Sequence, residues 1–238
     1  MAGRIMSWVY AAGDILLPRC CHLCDAPLME GERSICQRCA ADLPRTLYHR
    51  EDMNPMAMRF AGFFPFRRAT GFFFYAPGSS LAQLFQDFKY RGCPSLARDI
   101  GRIVGRELIP VGFLSDTDVI VPVPIHWWKR AKRGYNQSEM IARGLSAVSG
   151  IPVDTSLVAA RPHRTQTSLS HEQRESNTAG VFSLRNPARL RGKHILLIDD
   201  VCTTGATLRS AAMAILDSFP SDGSEPSLSL LSIGVTQI

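Results

Sequence analysis

Two adjacent carboxylates follow an apolar run in the last quarter of the chain. Asp199 and Asp200 come directly after residues 195–198, which read ILLI. A continuous apolar run of this length predicts a central strand of a parallel sheet, buried on both faces. Carboxylates at the end of such a strand can accept hydrogen bonds from a ribose diol, bind Mg²⁺, or stabilise positive charge on a sugar ring. The alternative is an acid pair that only caps a helix.

Small and hydroxyl-bearing residues follow the acid pair. Residues 203–207 read TTGAT and lead into an apolar pattern with helical spacing. A turn of small residues before a helix exposes backbone N–H groups, and these groups bind anions together with the helix dipole. Gly205 lets the backbone approach a phosphate closely, and the threonine hydroxyls add donors. The segment therefore predicts a phosphate-binding loop made of Thr203, Thr204, Gly205, Ala206 and Thr207.

Four cysteines near the amino terminus have the spacing of a metal site. The pattern is C-x2-C-x11-C-x2-C, formed by Cys21, Cys24, Cys36 and Cys39. Two such pairs can present four thiolates to a structural Zn²⁺, and the metal would replace the apolar core that this short segment lacks. Disulfides are the alternative, and clustering in a cytoplasmic chain favours metal. Cys20 and His22 leave some ambiguity in the ligand set.

A basic segment with two tryptophans follows a short apolar strand. Residues 127–133 read WWKRAKR. The positive charges of Lys129, Arg130 and Arg133 beside two indoles can neutralise a diphosphate, or they can hold single-stranded nucleic acid by phosphate contacts and base stacking. A solvated run of charges is the third interpretation.

The elements that must position these residues alternate between strands and helices. Apolar spacing predicts a short amphipathic helix over 4–17, helices over 81–88, 96–108, 140–148 and 207–219, and strands within 71–75, 118–124, 194–198 and 228–235. This alternation after residue 60 indicates a parallel α/β sheet with ligands at the carboxyl ends of its strands. We predict a helix and metal module over 1–47, a linker over 48–59 and an α/β domain over 60–238.

Composition limits the class of protein. The 238 residues include 45% hydrophobic and 20% charged residues, with a net charge of +6 and a pI near 9.1. Such a chain folds around a core, and its basic balance suits an acidic ligand. Asp14 interrupts the apolar run near the amino terminus, and the sequence contains no run of roughly 20 apolar residues that would span a membrane. We expect a cytoplasmic protein.

The segment over 194–208, HILLIDDVCTTGATL, resembles the phosphoribosyl pyrophosphate motif of type I phosphoribosyltransferases. It has the apolar strand, the two acids, the two spacers and the Thr-Thr-Gly-x-Thr loop of that motif. Three further segments resemble the ComF family of competence-associated, phosphoribosyltransferase-like proteins. They are FQDFKYRG at 85–92, VPVPIHWWKRAKRGYNQS at 121–138 and RTQTSLSHEQRESNTAGVF at 164–182. With the cysteine module, the resemblance covers nearly the whole chain.

This resemblance implies a fold and a set of site residues. The implied fold is a mostly parallel sheet of the type I phosphoribosyltransferase kind with flanking helices, preceded by a zinc ribbon. The implied ligands are Mg²⁺ and phosphoribosyl pyrophosphate, with Asp199 and Asp200 as catalytic and ribose-binding residues and with the 5′-phosphate in the loop over 203–207. The leaving diphosphate is then assigned to Lys129, Arg130 and Arg133, and the polar loop over 161–178 becomes a hood that carries Arg164, Gln166, Arg174 and Asn177.

The resemblance also implies a role in DNA uptake during natural transformation, with single-stranded DNA and other uptake proteins as partners. Two functions stay open at this point. The chain could be a phosphoribosyltransferase whose acceptor substrate the sequence does not identify. Alternatively, it could be a non-catalytic protein that binds single-stranded DNA or senses phosphoribosyl pyrophosphate.

Overall fold

The structure is a computed structural model that describes residues 19–90, 92–159, 181–220 and 223–237. The chain divides into two compact units, Met1–Leu43 and Pro44–Ile238. The helix predicted over 4–17 and the hood loop predicted over 161–178 lie outside the described residues.

The first unit is built around tight turns. A β-bridge joins Cys20 to Pro27, and the backbone N–H of Leu28 donates to the carbonyl of Arg19 at 2.8 Å. One short helix, α1, spans Gln37–Ala41. Cys21, Ile35 and Leu43 are the buried apolar residues in the described part of this unit. So few buried apolar side chains contribute little folding free energy, as the sequence predicts.

The described residues of the second unit form six strands. They are β1 (Ala69–Phe74), β2 (Val119–Pro122), β3 (Leu157–Ala159), β4 (Phe182–Leu184), β5 (His194–Cys202) and β6 (Ser227–Val235). Four of them form a fully parallel sheet in the order β1-β6-β5-β2, and β3 and β4 form a separate antiparallel pair. The predicted fold class, a mostly parallel α/β sheet after a cysteine module, is confirmed.

Helices of the second unit flank the sheet. They are α2 (Pro55–Met58), α3 (Ser80–Tyr90), α4 (Pro94–Leu108), α5 (Trp127–Arg133), α6 (Gln137–Ser149) and α7 (Ala206–Leu216), with short 3₁₀ turns at Tyr48–Arg50 and Pro187–Arg189. Helices α4 and α6 pack very closely, because a side chain on Gly144 would place its Cβ 1.9 Å from the carbonyl oxygen of Arg98. No helix in the described ranges is long and apolar enough to cross a membrane.

Strand β5 lies at the centre of the core. The side chains of residues 195–198 are all fully buried. Ile195 and Leu197 pack in a cluster with α7 on one face, while the intervening residues point to the opposite face. Burial on both faces is what the uninterrupted apolar run predicts.

Residues 48–59 are not an extended linker. Asn54 caps α2 by accepting from the N–H of Ala57 at 3.0 Å, and its side-chain amide donates to the carbonyl of Ala69 in β1 at 2.8 Å. Met56 and Ala57 are buried in the core cluster. Apolar periodicity missed this segment because a four-residue helix is too short to show it, although Asn followed by Pro is a helix-start pattern.

Candidate functional site

Strand β5 extends beyond its neighbour on one side. It pairs with β6 as far as Cys202, opposite Val235, but its pairing with β2 ends at Ile198, opposite Pro122. Asp199 and Asp200 therefore lie within the strand, and the sequence-based prediction ended the strand one residue before them. Because β2 has stopped, the two acids have a strand neighbour on one side only, at the carboxyl edge where parallel sheets bind ligands.

Asp199 is a buried carboxyl held by two donors. It is 8% exposed, and its Oδ1 accepts from the hydroxyl of Ser138 at 3.1 Å and from the N–H of Asp200 at 2.9 Å. Burial, followed by the charge of Asp200, raises the pKa of Asp199 to about 7, and the two hydrogen bonds and Lys89 oppose that rise. The carboxyl can therefore take up or release a proton near neutral pH.

Asp200 forms an ion pair with a residue that the sequence analysis did not assign to the site. The Nζ of Lys89, near the end of α3, lies 2.8 Å from its Oδ2, with side-chain exposures of 22% and 18% for the lysine and the aspartate. The Oδ1 of Asp200 accepts from the N–H of Val201 at 2.7 Å. The FKYRG part of the ComF-like segment contains Lys89, and this was the available indication of its importance.

The loop after the acids has the geometry of an anion cradle. Gly205 precedes α7 with φ of 83°, a left-handed conformation that favours glycine, and it has no side chain to cap this helix. The N–H of Ala206, at the start of the helix, donates to the hydroxyl of Thr204 at 3.4 Å. Residues 201–208 and Asp199 line a concavity that is partly open to solvent. The N–H groups at the start of α7 and the helix dipole thus offer suitable chemistry for a phosphate.

Arg59, at the end of the segment predicted as a linker, and the next residue, Phe60, support this loop. The guanidinium of Arg59 donates hydrogen bonds to the carbonyl oxygens of Cys202 and Thr203 in the loop. It also donates to the carbonyl oxygen of Thr236, just after β6. The ring of Phe60 lies 3.1 Å from where a Cβ on residue 205 would be, so a larger residue there would also collide. The sequence analysis missed Arg59 because it assigned no structure to residues 48–59, and it gave Phe60, the first residue of the predicted α/β domain, no role in the site.

Cys202, inside the loop, is a buried thiol. Burial raises its pKa above the usual value for cysteine. Since the thiolate is the reactive form, oxidation at this position is disfavoured.

The basic segment forms α5, which follows the carboxyl end of β2. Trp127 and Trp128 are 64% and 50% exposed, and the Nζ of Lys129 lies 5.5 Å from the ring of Trp128. Arg130 lies 3.9 Å from Glu139, and the guanidinium of Arg133 donates to the side-chain oxygen of Gln137 at 3.2 Å. The structure thus places the acids and the loop together at the end of β5. The contacts given above for Lys129, Arg130 and Arg133, the predicted diphosphate ligands, are instead with residues of α5 and α6.

The four predicted cysteine ligands lie together in the first unit. The Sγ atoms of Cys21, Cys24, Cys36 and Cys39 are all within 4.8 Å of one another. A tetrahedral zinc with Zn–S bonds near 2.3 Å needs sulfur separations of about 3.8 Å. The Sγ atoms of Cys24 and Cys36 are 3.8 Å apart. These four residues therefore fit a metal site, and their arrangement is compatible with a zinc ribbon.

Backbone N–H groups point at the sulfurs of this cluster. The Sγ of Cys21 accepts from Cys36 at 3.3 Å and from Leu23 at 3.5 Å. Burial opposes ionisation of Cys21, but these bonds prevail and its pKa falls to about 7. Burial and the neighbouring sulfurs raise the pKa of Cys39. Four thiols so close together can all ionise only when a cation compensates them, which is the chemistry of a closed metal site.

Parts of this chain are similar to a known protein domain and to known proteins. Residues 131–220 match the phosphoribosyl transferase domain. DNA utilization protein YhgH of Escherichia coli (strain K12) is 28% identical over 218 residues, covering 85% of this chain and 92% of that protein. Competence protein F of Haemophilus influenzae is 32% identical over 133 residues, covering 54% of this chain and 58% of that protein. Competence protein ComFC of Bacillus subtilis is 31% identical over 99 residues, covering 42% of this chain and 38% of that protein.

The chain is thus similar to phosphoribosyl transferase domain proteins and to proteins named for DNA utilization and competence. The resemblance predicted from its sequence segments is confirmed. The matched domain contains Ser138, the acid pair and the loop, whereas Arg59 and Lys89 precede it. Two basic side chains of the site thus come from outside the matched residues.

Proposed function

We propose that this protein is a member of the ComF family that binds phosphoribosyl pyrophosphate with Mg²⁺ at the end of β5 and acts as a phosphoribosyltransferase-like protein in DNA uptake. The observation that supports the ligand is that one strand carries the acid pair, with Asp199 buried, and leads directly into an open anion cradle. A phosphate and a ribose diol are the two groups that these neighbouring features would bind together.

Each part of the site has a role in this proposal. The N–H groups of residues 205–207 and the hydroxyls of Thr203 and Thr204 hold the 5′-phosphate. Asp199 and Asp200 accept hydrogen bonds from the ribose hydroxyls and stabilise the positive charge that develops at C1 as the diphosphate leaves. Lys129, Arg130 and Arg133 are the proposed diphosphate ligands. An acceptor nucleophile then forms the new bond to C1, which makes the protein a phosphoribosyltransferase.

The residues present fit both proposed metals. Adjacent carboxylates supply the hard oxygen ligands that Mg²⁺ prefers, and bound Mg²⁺ would neutralise charge on the diphosphate. Cys21, Cys24, Cys36 and Cys39 supply the four thiolates of a structural zinc site with no open position. Thiol ligation requires reduced cysteines, so the proposal includes a cytoplasmic location.

Thermal denaturation with Mg²⁺ and phosphoribosyl pyrophosphate tests the ligand. We expect millimolar ligand to raise the melting temperature of the wild type, because a ligand that binds only the folded state stabilises it. Asp199→Asn combined with Asp200→Asn should abolish the rise. Asp217→Asn, an exposed aspartate at the end of α7, is the control and should keep it. A wild type without any rise would show that the proposed ligand is wrong.

The role in DNA uptake is supported by the names of the relatives and by one surface of the protein. Trp127 and Trp128 are exposed beside Lys129, and indole rings with lysines suit stacked bases and phosphates of a single strand. We expect oligo(dT) to bind with an affinity that falls as salt increases. Replacing both tryptophans by alanine should weaken binding by about tenfold or more in a fluorescence anisotropy titration.

An exposed aromatic residue elsewhere supplies the control for this experiment. Phe63 is exposed and packs against Arg209, so Phe63→Ala removes an aromatic ring without touching α5. If the two tryptophan replacements and Phe63→Ala weaken oligo(dT) binding equally, α5 is not the surface that contacts DNA.

A further inference from the structure

Lys89 forms an ion pair with the Oδ2 of Asp200, an oxygen that the proposed metal would need as a ligand. Its Nζ lies 2.8 Å from the Oδ2 of Asp200, and both side chains are mostly buried. The other oxygen of Asp200 accepts from the backbone of Val201, and the Oδ1 of Asp199 already accepts from Ser138 and from Asp200. The acid pair is therefore already compensated by a cation that belongs to the chain.

A divalent cation and Lys89 cannot comfortably share this oxygen. An Mg–O bond near 2.1 Å would place the metal about 4 Å from the ammonium group. Two cations at that distance in a partly buried site repel strongly, since little solvent screens them. Metal binding at Asp200 therefore requires the ammonium group to move away.

The lysine has a means of moving. It lies one residue before the end of α3, and its ammonium group is also 5.3 Å from the ring centroid of Phe85, one turn earlier on the same helix. A cation stays favourable over an aromatic face when its carboxylate partner is taken. The helix ends at Tyr90, so Lys89 lies in its last turn.

We propose that Lys89 is the resident counter-cation of the acid pair and that it makes metal binding conditional on the phosphorylated sugar. Free Mg²⁺ competes poorly with a tethered ammonium group, whereas a metal carried by a diphosphate brings its own negative charge and displaces Lys89 toward the ligand. Lys89 is thus a positioning residue that acts through Asp200. This inference rests on the proposed function, because it takes the acid pair as the metal-binding element.

Binding of Mn²⁺ without any sugar phosphate tests the proposal, with free Mn²⁺ measured by its electron paramagnetic resonance signal. Lys89→Met should bind Mn²⁺ about tenfold more tightly than the wild type, an effect between those of an exposed and a buried ion pair. Lys89→Arg keeps the charge and should bind as weakly as the wild type. Lys193→Met removes an exposed lysine before β5 and should change nothing.

The gain must also depend on the acids. Adding Asp199→Asn and Asp200→Asn to Lys89→Met should remove the tighter Mn²⁺ binding. If Lys89→Met does not fold, Lys89→Gln removes the charge while keeping a polar end, and the same gain is expected. Equal or weaker Mn²⁺ binding after removal of the charge would overturn the proposal, because a lysine that only anchors α3 gives no gain.

The two proposals fail in distinguishable ways. If the wild type is stabilised by Mg²⁺-phosphoribosyl pyrophosphate but Lys89→Met gains no affinity for Mn²⁺, the role of Lys89 is wrong and the proposed ligand stands. If Lys89→Met gains affinity for Mn²⁺ but the wild type is not stabilised by the sugar phosphate, Lys89 does compensate the acids and the proposed ligand is wrong.

Discussion

Replacing Cys24 by serine is expected to release the metal from the four-cysteine cluster and to unfold the described part of the first unit. The described part of this unit buries few apolar side chains, so we expect the proposed zinc to supply most of its folding free energy, about 10 to 16 kcal/mol for a structural zinc. Cys24 is exposed, so the change from sulfur to oxygen costs little packing. Metal analysis of protein purified without chelator, together with hydrogen exchange over residues 19–43, measures both effects.

Cys20 provides a matched control for this substitution. It is also an exposed cysteine of the first unit but lies outside the four-sulfur cluster. We expect Cys20→Ser to keep one zinc per chain and normal protection from exchange. Loss of zinc in both variants, or in neither, would contradict the ligand set Cys21, Cys24, Cys36 and Cys39.

Binding of Mg²⁺-phosphoribosyl pyrophosphate is expected to strengthen as pH rises through about 7. Burial and the charge of Asp200 raise the pKa of Asp199 to about 7, so below that pH most molecules carry a proton on this carboxyl. The proton must leave before the carboxylate can serve the ligand. Affinity should therefore fall by up to about tenfold for each pH unit below the pKa, as calorimetric titrations at a series of pH values would show.

Asp199→Asn isolates this effect from the titration of the ligand itself. The phosphates of the ligand also change charge near neutral pH, but they do so equally with both proteins. The ratio of wild-type to Asp199→Asn affinity should approach one at about pH 5.5 and reach a plateau above about pH 8. A ratio that does not vary with pH would show that Asp199 is already ionised across this range.

The stability of the ligand-free protein supplies a second readout for the same carboxyl. Its folded-state pKa is raised above the unfolded value of about 3.9, so its contribution to stability is present below that value and is lost as pH rises through about 7. Relative to the wild type, Asp199→Asn should therefore become more stable as pH rises from about 4 to about 7. Melting temperatures measured over this range test the sign.

The features that the structure shows where the sequence placed them are those whose residues are neighbours along the chain. The strand, the acids and the loop run without interruption from 194 to 208, and the cysteine pairs each span four residues. Local patterns of this kind determine the chemistry directly, since the groups are already close before the chain folds. The hood loop predicted over 161–178 stays a prediction, because it lies outside the described residues.

Long-range contacts decided the remaining features of the site. Arg59 reaches Thr203 across 144 residues, and Ser138 reaches Asp199 across 61. Neither contact leaves a periodic or local pattern in the sequence, because each depends on how helices pack against the end of the sheet. The early end of β2 is a similar case, since only the pairing register shows that β5 continues beyond its neighbour.

By itself, the sequence determined where the acid pair, the small-residue loop and the two cysteine pairs lie, and it supplied the ComF resemblance, because short runs of residues form each of these patterns. Only the tertiary structure decided what surrounds the acids. It paired the ammonium group of Lys89 with Asp200 and brought the hydroxyl of Ser138 into hydrogen-bond distance of Asp199. Burial in the folded protein also raises the pKa of Asp199 to about 7. Burial and ion pairing depend on groups from separate elements, and these groups meet only when the sheet and its helices have assembled.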